Sequence, residues 1–144
     1  MEHFELNLFL DSALSKRYRI DNYPTFDAVD SLKELASTIL EPMASSIGIN
    51  IIIARGFLCE RLNTIAGCPG LLHVKGYAAD VVPLNGDLQG FIAEAEDWLR
   101  DNDVAFDQSL EEIDKEGNHF WHIAIYGENG EQRRKFSDDE TTTE

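Results

Sequence analysis

Apolar positions along the chain follow two different rhythms. Val29, Leu32, Leu35, Ala36, Ile39, Leu40 and Met43 recur at the three- and four-residue spacing of one buried helix face. Pro24-Thr25 opens this long helix, with Thr25 as its cap, and Gly48 marks its end. Pro42 falls inside the pattern and predicts a kink or break in the last turn. A shorter helix is predicted over Leu10 to Arg19, capped by Asp11 or Ser12, and another over Cys59 to Ala66 before a Gly67-Pro69-Gly70 loop. Asp87 caps a further helix reaching about Asn102, with Phe91, Ala95, Trp98 and Leu99 on one side. The second rhythm is that of strands. Ile49 to Ala54 is a β-branched run, Tyr77 to Val82 reads as a strand ending at Pro83, and Val104 to Glu111 and Phe120 to Tyr126 read as an antiparallel pair around a Gly117-Asn118 turn. Helices come first and strands pair late, so the predicted class is α+β rather than a doubly wound parallel sheet.

The length of 144 residues suits one domain, and 43% hydrophobic residues are enough for a core without disulfides. Cys59 and Cys68 do not make a disulfide framework; as plain residues they are small hydrophobes or free thiols. The 12 Lys and Arg against 27 Asp and Glu leave a net charge of −15. That balance argues against a nucleic-acid backbone or an anionic membrane surface as partner. No apolar run approaches a membrane span, and the N-terminal stretch lacks the pattern of a secretory signal. The expectation is a protein made in a cytoplasm, with nothing that calls for more than a monomer. The segment 137–144, with four acids and three threonines, is expected to be a disordered tail.

The histidines carry the candidate chemistry. His3 and His119 stand in polar surroundings, but His73 and His122 do not. His73 precedes Gly76, which permits a tight turn, and the strand that follows carries Asp80 on one face with Ala78 and Val82. A carboxylate amid apolar strand residues is costly unless it is paired or bound to metal. Alternation puts Trp121, Ile123 and Ile125 on a core face, leaving His122 and Ala124 on the other. Two histidines and one carboxylate, with a fourth position open, form the ligand pattern of a catalytic zinc site, in which zinc acidifies water and polarises a carbonyl. The plainer reading makes Asp80 a turn cap and both histidines ordinary polar residues.

His73-x-x-Gly76-x-Ala78-x-Asp80, followed by Trp121-His122, resembles the zinc D-alanyl-D-alanine carboxypeptidase family of phage and bacterial peptidoglycan peptidases, which shares its fold with the Hedgehog signalling domain. Ile20 to Thr25, Leu40-Glu41-Pro42, Leu62-Asn63, Phe106-Asp107-Gln108 and Arg133-Arg134 are similar to the small phage-type members, so the likeness spans about residues 4 to 136. The resemblance implies a single zinc-peptidase domain over residues 1–136, with helices packed on a small, mainly antiparallel sheet. It implies Zn²⁺ held by His73, Asp80 and His122, peptidoglycan stem peptides as substrate, and action on the wall after release from the host cytoplasm or from a phage particle. The general base would be Glu112, four residues after Gln108. Strict alternation counted from Phe106 would need a bulge or the strand's end to re-aim it, and Glu111 and Glu116 compete for the role. His119, three residues before His122, would orient substrate or share proton transfer.

Two positions depart from the family pattern. Leu71 stands where a serine is usual, and Arg55-Gly56-Phe57-Leu58 replaces Ser-Gly-Tyr-Arg. The missing arginine would contact the substrate carboxylate or the developing oxyanion, and losing such a donor typically costs about 10²–10³ in rate. Arg55 or Arg61 are the candidate replacements, with Lys75 a weaker one. The departures also motivate an alternative: a catalytically degenerate domain serving as a structural or wall-binding component. A zinc knuckle built from Cys59, Cys68 and His73 fits poorly, because the cysteine spacing is too wide and Asp80 and His122 are left without a purpose.

Overall fold

The computed structural model describes residues 5–133. Three of its helices begin where a polar side chain accepts an orphan backbone N–H. Ser12 Oγ accepts from Ser15 N at 3.1 Å and starts α2 (Ala13–Tyr18), the helix expected over Leu10 to Arg19, while a separate helix not expected from the sequence, α1 (Leu6–Leu10), ends before the extended Ser12. Thr25 caps α3 (Phe26–Leu35) through Ala28 N, and Asp87 caps α6 (Leu88–Asp101) through Gly90 N. Between them lie α4 (Glu41–Ile47) and α5 (Glu60–Ala66).

Pro42 does not break the long helix. A π-helical turn, Ala36–Leu40, joins α3 to α4, and the Glu41 N–H reaches five residues back to the Ala36 carbonyl. Proline has no N–H to donate and its ring collides with the carbonyl four residues earlier in a regular helix; the wider turn relieves both conflicts. Gly48, at φ 70°, then ends α4 as expected.

The strands β1 (Ile51–Arg55), β2 (Ala78–Pro83), β3 (Gln108–Ile113) and β4 (His119–Ala124) form one sheet in the order β1-β2-β4-β3, with every neighbour antiparallel. The class is α+β. The largest departure from expectation is β3, which starts at Gln108 rather than Val104. The chain bends at Asp107, whose N–H donates to Ala124 O at 2.9 Å and whose buried carboxylate takes the Arg133 guanidinium through two contacts of 2.9 Å.

One sheet face is the main core. Ala79, Val81, Trp121 and Ile123 pack there against Leu32, Leu35, Ile39 and Met43 of the long helix and Phe91, Ala95 and Leu99 of α6. The Phe91 and Trp121 rings meet edge-to-face at 5.5 Å. On the opposite face Ala78 and Ala124 form only a small apolar patch with Leu72, and Asp80 and His122 stand among apolar neighbours that include Phe120 and Leu110. Among the described residues no helix is long and apolar enough to cross a membrane. The tail at 137–144 and His3 lie outside the described residues.

Candidate metal centre

Strand register places the first two groups. Asp80 of β2 pairs directly with His122 of β4, and Ala78 with Ala124, so both polar side chains rise from one face beside two alanines that leave room above them. The turn before β2 brings in the third. Gly76 has φ +74°, and a Cβ there would collide with the Ala28 carbonyl oxygen, so glycine alone allows the turn to lie against α3. His73 is thereby folded over the strand it precedes. Asp80 Oδ1 lies 2.7 Å from His122 Nδ1, and Asp80 Oδ2 lies 3.2 Å from His73 Nε2. All three residues are buried, with one ligand atom of each within 4.8 Å of the others.

The outer nitrogens of the two imidazoles show what the inner ones are for. His73 Nδ1 faces the Gly56 carbonyl at 2.8 Å, which can only accept, so that nitrogen carries the proton. His122 Nε2 donates to Gln108 Oε1 at 2.9 Å. In a neutral ring the inner nitrogens then turn lone pairs toward a carboxylate. Three electron-rich atoms converging in a buried site call for positive charge beside them, from a proton, a metal ion or a neighbouring cation. Outer hydrogen bonds of this kind are what orient histidines as metal ligands. Without metal the burial of His73 opposes its protonation, but the adjacent Asp80 charge prevails and raises its pKa. Burial would raise the Asp80 pKa, yet both histidines together hold it far below the ordinary carboxylate range. The donor set fits a divalent ion such as zinc.

A β-bulge supplies the neighbouring cation. The β1–β2 register slips between Ile53 and Arg55, so that Arg55, which regular alternation would send into the core, stands opposite Asp80. Its Nε donates to Asp80 Oδ2 at 2.9 Å, and its guanidinium lies 4.7 Å over the Phe120 ring. Of the two candidate replacements, Arg55 stands beside the triad, whereas Leu58, at the position of the expected arginine, is buried in the interior. The bulge expected near Glu112 is not needed. The bend at Asp107 resets the alternation, leaving Phe106 in the core and turning Gln108, Leu110 and Glu112 toward the His122 face. Glu112 Oε1 comes within 3.6 Å of His122 Nδ1.

Other expected residues lie elsewhere. His119 has the parity of Trp121 and sits on the opposite sheet face, bonded at 2.7 Å to Glu111, which also takes Gln89 of α6. Neither His119 nor Glu111 shares a face with the triad. Glu116 is in the exposed β3–β4 turn, 3.8 Å from Arg17. Arg61 is exposed on α5 and does not line the cleft over the triad. Lys75 donates to the Glu128 carbonyl at 2.7 Å, and Leu71 uses its own N–H on the Glu128 carboxylate. Cys59 packs against the main core, whereas Cys68 borders the cleft, where burial raises its thiol pKa. No cysteine belongs to the converging group. Two supports escaped the sequence reading: the Gly56 carbonyl, because backbone groups leave no sequence signal, and Asn22. The Asn22 side chain ties Leu10 O, Phe57 O and Cys59 N together at 2.8–3.0 Å, which holds the loop carrying Gly56.

The triad opens into a cleft of about 650 Å³ that also reaches Arg55, Glu112, Lys115 and Glu128. No family model matches the chain, and neither a curated protein nor a solved structure matches it.

Proposed function

We propose that this chain is a zinc metallopeptidase that hydrolyses an amide bond in peptidoglycan stem peptides, on the fold shared by zinc D-alanyl-D-alanine carboxypeptidases and Hedgehog signalling domains. The observation that carries the reading is the buried convergence of His73, Asp80 and His122 beneath an open cleft, with Glu112 at its rim. Zinc held by those three side chains supplies a Lewis acid that acidifies water and polarises a carbonyl. The protein's own groups do the remainder. Glu112, about one-third exposed and on the same strand face, accepts the proton of the attacking water and returns it to the leaving amine. Gln108 and the Gly56 carbonyl hold the two imidazoles in one tautomer each. The cleft admits an extended peptide, with Arg55 available to a substrate oxygen on one side and Glu128 to an ammonium on the other.

A degenerate, non-catalytic domain is the second reading, and one observation favours it. Arg55 already neutralises Asp80, so the buried carboxylate has a permanent cation without any metal. Digestion separates the two. Zinc-loaded protein is incubated with peptidoglycan of several wall chemotypes, with and without chelator, and released fragments are identified by mass spectrometry. Chelator-sensitive fragments are expected, and their masses name the bond. Zinc-dependent melting with no release from any wall type would overturn the peptidase reading in favour of the degenerate domain.

A further inference from the structure

We infer that Arg55 is a positioning residue that fixes Asp80 as a one-oxygen ligand and so makes the centre selective for zinc over larger, oxygen-seeking ions. The inference rests on the metal-centre reading and deepens it. Asp80 has two oxygens with different employment. Oδ1 faces His122 Nδ1 at 2.7 Å and has no second partner of this kind among the described residues, whereas Oδ2, 3.2 Å from His73 Nε2, also accepts from Arg55 Nε at 2.9 Å. A bonded guanidinium draws charge from Oδ2 and occupies one of its lone pairs, leaving Oδ1 the stronger donor to a bound ion. The device is built rather than incidental. It needs the slipped register at Ile53/Arg55, without which Arg55 would point to the other face. The arginine side chain is only 18% exposed and is held from above by the Phe120 ring.

Ion preference follows from ligand count. Zinc is satisfied by two imidazoles, one carboxylate oxygen and one open position. Manganese and calcium prefer more oxygen ligands and gain from a carboxylate that binds through both. An Asp80 held at Oδ2 withholds that second oxygen. The fixed positive charge is felt by either divalent ion, so the comparison between ions reads the geometry rather than the charge.

The test compares Zn²⁺ and Mn²⁺ affinities of the full chain by competition with a chromophoric chelator. In Arg55→Gln the zinc-to-manganese affinity ratio is expected to fall about tenfold or more, the usual size of an outer-contact effect on a metal site. Arg55→Lys keeps a charged donor within reach of Oδ2 and is expected to retain most of the ratio. A measurement independent of any variant uses Co²⁺ in the wild-type protein, whose visible absorption is expected to be intense, as for a four-coordinate ion, and to weaken in Arg55→Gln. An unchanged ratio in Arg55→Gln, or a weak six-coordinate Co²⁺ spectrum in the wild type, would overturn the role given to Arg55. Wild-type protein that binds none of these ions overturns both this inference and the peptidase reading. Selective zinc binding without peptide cleavage overturns the latter alone.

Discussion

The two faces of the four-stranded sheet are made by the same strands and obey opposite rules. On one face Ala79, Val81, Trp121 and Ile123 meet helices in a dry apolar layer. On the other, Asp80 and His122 are buried as well but are satisfied by polar partners: each other, His73, Arg55 and Gln108 among the described residues, with Glu112 close by. Stability on the first face comes from area and fit, which tolerate modest change. On the second, each group is the partner that makes the next one tolerable, so removing one strands the others. The fold is therefore expected to depend on the first face, and metal binding and chemistry on the second.

The sharpest way to break this division is to remove the carboxylate both histidines share. Asp80→Ala is expected to weaken zinc by more than about 10³-fold, since outer contacts alone are worth about 10–100-fold, and equilibrium dialysis would measure it. Trp121→Ala acts on the opposite face; it is expected to destabilise the protein by about 3–5 kcal/mol in denaturant melts while the zinc affinity of the folded fraction stays within a few-fold. Glu112→Gln is expected to lower peptide cleavage by about 10²–10⁴-fold with unchanged zinc stoichiometry. Equal activity in that variant would return the role of base to another group.

Proton competition sharpens the same contrast more gently. In the metal-free protein the raised pKa of His73 means that folding favours its protonated form. That contribution is present below the ordinary histidine range and is lost as pH rises through the raised value. Zinc needs the same nitrogen unprotonated, so stabilisation by zinc grows over that rise. The gap between melting curves with and without zinc should widen as pH rises above the ordinary histidine pKa of about 6.5. The smallest effect is expected at His119, on the opposite face from the triad. His119→Ala should change cleavage by less than about twofold and stability by less than about 0.5 kcal/mol, as befits an exposed position.

The periodicities made much of this legible. The core stripe of the long helix, the Thr25 and Asp87 caps, and the split of Trp121 and Ile123 from His122 all follow from repeats of 3.6 and 2 residues. The trio of His73, Asp80 and His122 could be proposed because an aspartate in an apolar strand needs a reason. What was hidden were the breaks in period. Pro42 reads as a helix breaker because a π turn has no sequence signature of its own. Counted from Phe106, Glu112 is misaimed, because the chain bends at Asp107, whose carboxylate is bonded to Arg133, 26 residues away. Arg55 turns toward the site through a bulge that a regular strand pattern does not announce. The resemblance gives His119 a role because it stands three residues before His122, but neighbours three apart on a strand point to opposite faces.

The most direct test of the account is the zinc stoichiometry of chelator-stripped protein, by calorimetric titration of the wild type and of Asp80→Ala. The account predicts one equivalent bound by the wild type, released heat that depends on pH through proton displacement, and no binding in the variant. A wild type that takes up no zinc, or a variant that binds it equally well, would contradict a metal centre built from His73, Asp80 and His122.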